Sequence, residues 1–194
     1  VQVEPVTLRG SAVILEPLRL AHAAELWPAA DERDLWRYML FDVESQADLE
    51  RWIAARLEPA AQGKALPFLL RDAATGQAFG SSSLFEIDVA RRSLEIGHTW
   101  VGRNHRRTAA NTEAKRLLLA HAFEAMGAQR VQLRCDERNL RSAAAIERIG
   151  AVREGVIRSM VILRDGHRRN AVVFSILDSE WPAVKERLDA MLGR

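Results

Sequence analysis

A single cysteine, Cys135, and a single tyrosine, Tyr38, stand among 194 residues. One cysteine excludes an intrachain disulfide and fits a reducing compartment, where a buried, inert thiol is its expected state. No apolar run approaches the roughly 20 residues that cross a bilayer. Val1 to Gly10 also lacks the apolar core of a signal peptide. These absences predict a cytoplasmic protein without membrane contact. Neither sign of charge dominates, since 28 Lys and Arg face 26 Asp and Glu for a net charge of +2. Wholesale electrostatic binding of nucleic acid is not expected from that balance.

What is present is ordinary for a globular chain: 48% hydrophobic and 28% charged residues. No internal repeat, low-complexity tract or linker interrupts it, so residues 1–194 read as one domain.

Period and punctuation give an order of elements. Ala12 to Leu18 alternates as a strand ending near Pro17, and Leu20 to Ala30 and Ser45 to Leu57 carry helical stripes. Ser45 is a natural cap for the second of these helices. Pro67 to Arg71, Gln77 to Ile87 and Ser93 to Val101 form a strand meander. Asn111 to Met126 is a helix whose Ala114, Leu117, Leu118, His121, Ala122 and Ala125 share a face, and Gly127 ends it. Val131 to Cys135 is a strand and Arg141 to Ile149 a short helix. Val156 to Leu163 and Arg169 to Leu177 form a hairpin through Asp165-Gly166. Ser179 is placed to cap a last helix with Trp181, Val184, Leu188 and Met191 inward. The expected fold is α/β (α+β), a mixed sheet flanked by helices.

One junction carries chemistry. The strand Ser93 to Val101 runs through Arg103-Asn104-His105-Arg106-Arg107-Thr108-Ala109-Ala110 into the helix near Asn111. Such a loop offers unpaired backbone N–H groups and the positive end of a helix dipole to an anion. Thr108 and Thr112 add hydroxyls, and Arg103, Arg106 and Arg107 add charge-assisted donors. A pyrophosphate suits it; a solvated basic loop with a plain helix cap explains the same residues.

The surroundings separate the two readings. Glu95-Ile96-Gly97, the loop, Asn111-Thr112-Glu113-Ala114-Lys115, Cys135-Asp136-Glu137-Arg138-Asn139 with Ser142, then Ile149-Gly150-Ala151 and Glu154-Gly155 form an ordered series. The series resembles the GNAT acetyltransferase superfamily, and within it the ribosomal-protein alanine N-acetyltransferases of RimJ/RimL type. That resemblance implies a mostly antiparallel sheet splayed between the strands ending near Val101 and Cys135, with acetyl-coenzyme A in the opening. Pantetheine would run beside Trp100, Val101 and Gly102. The pyrophosphate would rest on Arg106, Arg107, Thr108, Ala109, Ala110, Asn111 and Thr112, and Asn139 would contact the pantetheine arm.

Two departures from the family pattern stand out. Arg107 replaces a loop glycine, and either reaches a phosphate oxygen or crowds the loop. The tyrosine that many members use to protonate the departing thiolate is Ile146 here, which makes Ser142 the candidate donor. Glu95 is the candidate base for the incoming amine, ahead of His98 and Glu86. The position of a Glu base in some RimL-like enzymes is Val161.

The implied reaction is direct acetyl transfer from acetyl-CoA to a primary amine, a protein N-terminus or a small molecule, without a metal. The alternative is a catalytically weak CoA-binding protein on the same fold. Acceptor contacts would come from the first helices, where Trp36, Tyr38, Phe41 and Trp52 are lining or core. A homodimer remains open.

Overall fold

Residues 3–163 and 165–194 are described by the structure, a computed structural model. Val1 and Gln2, the start of the segment read for a leader, lie outside them. The chain opens with β1 (Leu8–Arg9) and β2 (Val13–Pro17), a 3-10 turn (Leu20–His22), α1 (Ala23–Ala30), α2 (Arg33–Trp36) and α3 (Gln46–Ala61). The meander is β3 (Leu66–Asp72), β4 (Ala78–Asp88) and β5 (Ser93–Val101). Then come α4 (Ala109–Ala120), β6 (Arg130–Asp136), α5 (Leu140–Arg148), β7 (Val152–Ile162), β8 (Arg168–Leu177) and α6 (Trp181–Met191). β1 and α2, of two and four residues, are too short to show a period in sequence.

The strands form one sheet of eight in the order β1-β2-β3-β4-β5-β6-β8-β7. β5 and β6 run parallel while the other neighbours run antiparallel. A parallel neighbour needs a crossover, and α4 provides it. One face packs Val13, Leu15, Phe68, Leu118, Phe174 and Leu188 with α4 and α6. The other packs Leu26, Leu49, Trp52, Ile53, Leu69 and Trp100 with α1 and α3. Covered on both faces, β3 is apolar along its first half rather than alternating.

The helix caps explain most boundaries. Ser45 accepts from the Asp48 N–H and starts α3, as its sequence predicts. α4 begins two residues before Asn111 because Thr108 caps it through the Ala110 N–H. Its far end differs from expectation. Residues 121–125 form a π turn in which the Met126 N–H bonds His121 O. The wider turn rotates the face, so Phe123 is buried and Ala125 exposed, not inward. Ser179 does not cap α6. The helix starts at Trp181 after Glu180, which makes no side-chain cap bond; Pro182 in the first turn needs none.

Glu113, 0% exposed in α4, holds the edge of the fold. Its carboxylate accepts from the backbone N–H groups of Ser11, Ala12 and Val13 and pairs with Arg194. Gly10 lies so close that a Cβ there would come 2.3 Å from Glu113 Oε2.

Candidate active site

The β5–β6 ladder covers only Ser93↔Arg130, Leu94↔Val131 and Glu95↔Gln132. Beyond Glu95 the strands part, and a cleft of about 720 Å³ opens between them. Residues 95–101 form one wall; Cys135, Asp136, Asn139, Ser142 and Ile146 form the other.

A bulge in β5 shapes the first wall. Ser83 opposes Gly97 and Ser81 opposes Trp100, so His98 and Thr99 stand against Ser82 alone. His98 absorbs the extra residue at φ +49°. Ile96 packs on the α4 side, yet Trp100, four residues on, packs on the α3 side. Even alternation would place both on one face, so the bulge inverts the strand. It also brings Thr99 Oγ1 to Lys115 Nζ on α4, at 2.8 Å, and to Ser82 Oγ, at 2.7 Å.

The phosphate loop divides its arginines. Arg106 forks onto Glu32 at 3.0 and 2.7 Å and donates to Val101 O. Arg103 reaches the same carboxylate at 3.2 Å. Arg107 has no hydrogen-bond or ion-pair partner among the described residues, and it is exposed at φ +59°. The backbone conformation that a glycine adopts freely is therefore kept, with an unpaired guanidinium added. Of the sequence candidates, Glu95, Trp100, Val101, Arg106, Arg107, Asn111, Thr112, Asn139 and Ser142 line the cleft. Thr108, Ala109 and Ala110 are not among its lining residues and form the cap and first residues of α4. Gly102 faces a smaller cavity, and its N–H is bonded to Phe79 O. A Cβ there would meet the Ala29 Cβ at 2.9 Å, so packing against α1 requires this glycine.

Five buried polar atoms on residues of the wall lack hydrogen-bond partners among the described residues: Arg56 Nε, His98 Nδ1, Trp100 Nε1, Asn111 Oδ1 and Arg169 Nε. Buried polar groups are rarely left so. Asn139 Oδ1 caps α5 through the Ser142 N–H at 3.1 Å. The Ser142 hydroxyl is thus not the cap. It bonds the buried Cys135 thiol, whose pKa burial pushes up.

Glu95 is 4% exposed, with Arg134 Nε at 2.6 Å and Gln132 Nε2 at 2.9 Å. Burial raises its pKa while Arg134 and Gln132 pull it down. Burial lowers His98 to about 3, keeping the ring neutral. Val161 lines the cleft, so the position is right for a base but the carboxylate is absent. Ile146 lines it too. Tyr38 and Trp52 reach the opposite end, whereas Trp36 is core, bonded through Nε1 to Ala30 O.

Sequence reasoning missed Lys115 and Arg56. Lys115 follows Asn111 by four residues and Thr112 by three, a spacing that puts all three on one helix face. Its amine meets no carboxylate, and burial lowers its pKa to about 7. Near neutral pH such an amine both accepts and donates protons. The one group of described residues close enough to hold a metal ion, Glu16, His22 and Glu25, is bridged by Arg71.

A parted parallel pair, a β5 bulge and a helix N-terminus at one end of the cleft define a class. A family model described as an acetyltransferase (GNAT) domain matches residues 12–152. The chain belongs to the GNAT acetyltransferase family. It is 33% identical over 110 residues to a Bacillus subtilis (strain 168) protein bearing the provisional name ribosomal N-acetyltransferase YdaF. That match covers 57% of this chain and 59% of the relative, so it spans little more than half of the relative's length. A GCN5-related N-acetyltransferase from Brucella melitensis superposes with a TM-score of 0.90 at 31% identity, over 98% of this chain and 86% of the other. Mycobacterium smegmatis RimJ, solved in complex with CoA-disulfide, shares the fold with a TM-score of 0.80 at 24% identity. That likeness covers 96% of this chain and 93% of RimJ.

Proposed function

We propose that the chain works in the cytoplasm as a single-domain N-acetyltransferase, moving acetyl from acetyl-CoA to a primary amine of a protein N-terminus or small molecule. The observation that carries this reading is the cleft where β5 and β6 part, lined by residues 95–101 on one side and by Asn139 and Ser142 on the other. The pantetheine arm lies along the free edge of β5 at Trp100 and Val101. Asn139, with its Nδ2 outside the cap, donates to that arm. Arg107 and the N–H groups of residues 107–109 receive the pyrophosphate at the start of α4, where the Thr108 hydroxyl caps the Ala110 N–H and donates to His105 O. Thr112 lies one turn further along the same wall, and Arg106 braces the loop from Glu32.

The amine attacks the thioester carbonyl directly, after Glu95 takes its proton or draws it through water. Backbone N–H groups near the bulge stabilise the carbonyl oxygen. Ser142 donates to the departing sulfur. Arg134 positions Glu95 and keeps its carboxylate turned into the cleft.

Calorimetry with acetyl-CoA and CoA tests binding, and thiol release with an amine panel tests transfer. Binding of both ligands with thiol release upholds the reading. Absence of binding contradicts it outright, and binding without turnover favours a CoA-binding protein on the same fold.

A further inference from the structure

Arg56 stands on α3 in the wall of the cleft, and no described residue forms an ion pair with it. Its guanidinium lies over the rings of Trp52 and Phe41, 4.8 and 5.0 Å from their centroids. Nε is buried without an acceptor, and no described residue forms a hydrogen bond or ion pair with the group. Burial lowers its pKa to about 10, far below a normal guanidinium. Arg56 lines the same cleft as His98.

The carboxylates of the wall are otherwise engaged. Arg134 holds Glu86 and Glu95, while Arg138 and Arg169 hold Asp136. Asp34 is exposed at the rim. CoA phosphates belong at the loop beyond Val101, past the end of β5, whereas Arg56 lines the cleft from α3. A desolvated cation without a counterion is costly, and a planar fork between aromatic rings is shaped for a carboxylate.

Building on the acetyl-transfer reading above, we propose that the acceptor is an amine that also bears a carboxylate, held by Arg56 while the amine meets the thioester at the bulge. The amine nitrogen bonds the acetyl carbon and the C–S bond breaks. Sulfur leaves with the electron pair and takes up a proton as the amine loses one. The same wall is unsuited to polyamines, since its buried carboxylates are all paired.

The test is thiol release from acetyl-CoA with matched acceptors: free amino acids against their amides, C-terminally amidated Ala-Glu against amidated Ala-Gln, and spermidine. Carboxylate-bearing acceptors should exceed their neutral partners by about 100-fold in kcat/KM. Arg56→Gln should abolish that preference, and Arg56→Lys should restore part of it. Acetyl-CoA affinity, measured by calorimetry, should be unchanged in both variants, which shows that they fold. Preference among free acids or among acidic peptides upholds the proposal and identifies the source of the carboxylate. Equal turnover of amides or spermidine, or a preference that survives Arg56→Gln, overturns it. If no amine is acetylated although acetyl-CoA binds, the transferase reading itself fails, and this proposal with it.

Discussion

Charges in the frame of the molecule and charges in its cleft are treated differently. In the frame, Glu113 is met by three backbone N–H groups and Arg194, Arg116 by Asp189, and Arg130 by both oxygens of Glu154. In the cleft, Lys115 meets only a hydroxyl, and Arg56 and Arg107 have no hydrogen-bond or ion-pair partner among the described residues. Built-in partners fix structure whether or not a ligand is present. The half-buried Lys115 and Arg56, without a counterion, cost stability in the free protein, and they and the exposed Arg107 await an anion or a reacting proton. The contrast marks Lys115, Arg56 and Arg107 out from the paired charges of the same cleft, such as Glu95 with Arg134 and Asp136 with Arg169.

Substitutions in the two regions should therefore separate stability from activity. Glu113→Ala leaves three N–H groups unmet, that of Val13 buried, and strands Arg194, at an expected cost of about 3–5 kcal/mol. Urea denaturation measures it, and CoA affinity of the folded fraction should not change. Glu95→Gln should do the reverse, lowering kcat by about 100-fold with stability nearly intact. Undiminished turnover would move the proton acceptor from Glu95 to Lys115.

Lys115→Met tests the cost of an unpaired cation. In the fold the amine titrates near 7, against 10.5 normally. The unfolded chain therefore binds the extra proton between those values, so the penalty is full below pH 7 and fades as pH rises towards 10.5. The Met variant should be about 2 kcal/mol more stable than wild type at pH 6 and nearly equal to it at pH 10. Thermal melts across that range read the difference.

The smallest effect belongs to Arg107→Gly. Glycine relieves about 1 kcal/mol of left-handed strain, yet CoA affinity should fall about fivefold because a phosphate contact is lost. Raising salt from 0.05 to about 0.5 M should shrink that difference. Unchanged or tighter binding would show that Arg107 crowds the loop.

Much of this was legible in sequence, for stated reasons. β5 was read with its observed ends because an alternating run lies between a charged turn and a basic loop. In sequence Arg107 reads only as standing where the family has a loop glycine; its positive φ comes from the structure. The bulge at His98 was not legible, because an inserted residue leaves no mark on composition; only the opposite faces of Ile96 and Trp100 reveal it. Arg106 read as a phosphate ligand from charge alone, whereas its partner Glu32 lies 74 residues away in sequence. Arg56 was invisible for the same reason: what defines it is a missing partner, and absence of a contact is a three-dimensional fact. Ser179 failed as a cap because Pro182 already solves the problem of free N–H groups at that helix start.

The central claim is that the parted β5–β6 edge holds acetyl-CoA for direct transfer. A crystal structure with CoA tests it most directly. The account predicts pyrophosphate oxygens within about 3.2 Å of N–H groups in residues 107–109, pantetheine amides along the backbone of Trp100 and Val101, and sulfur between Glu95 and Ser142. Sulfur bonded to Cys135, or CoA lying outside the β5–β6 opening, would contradict it.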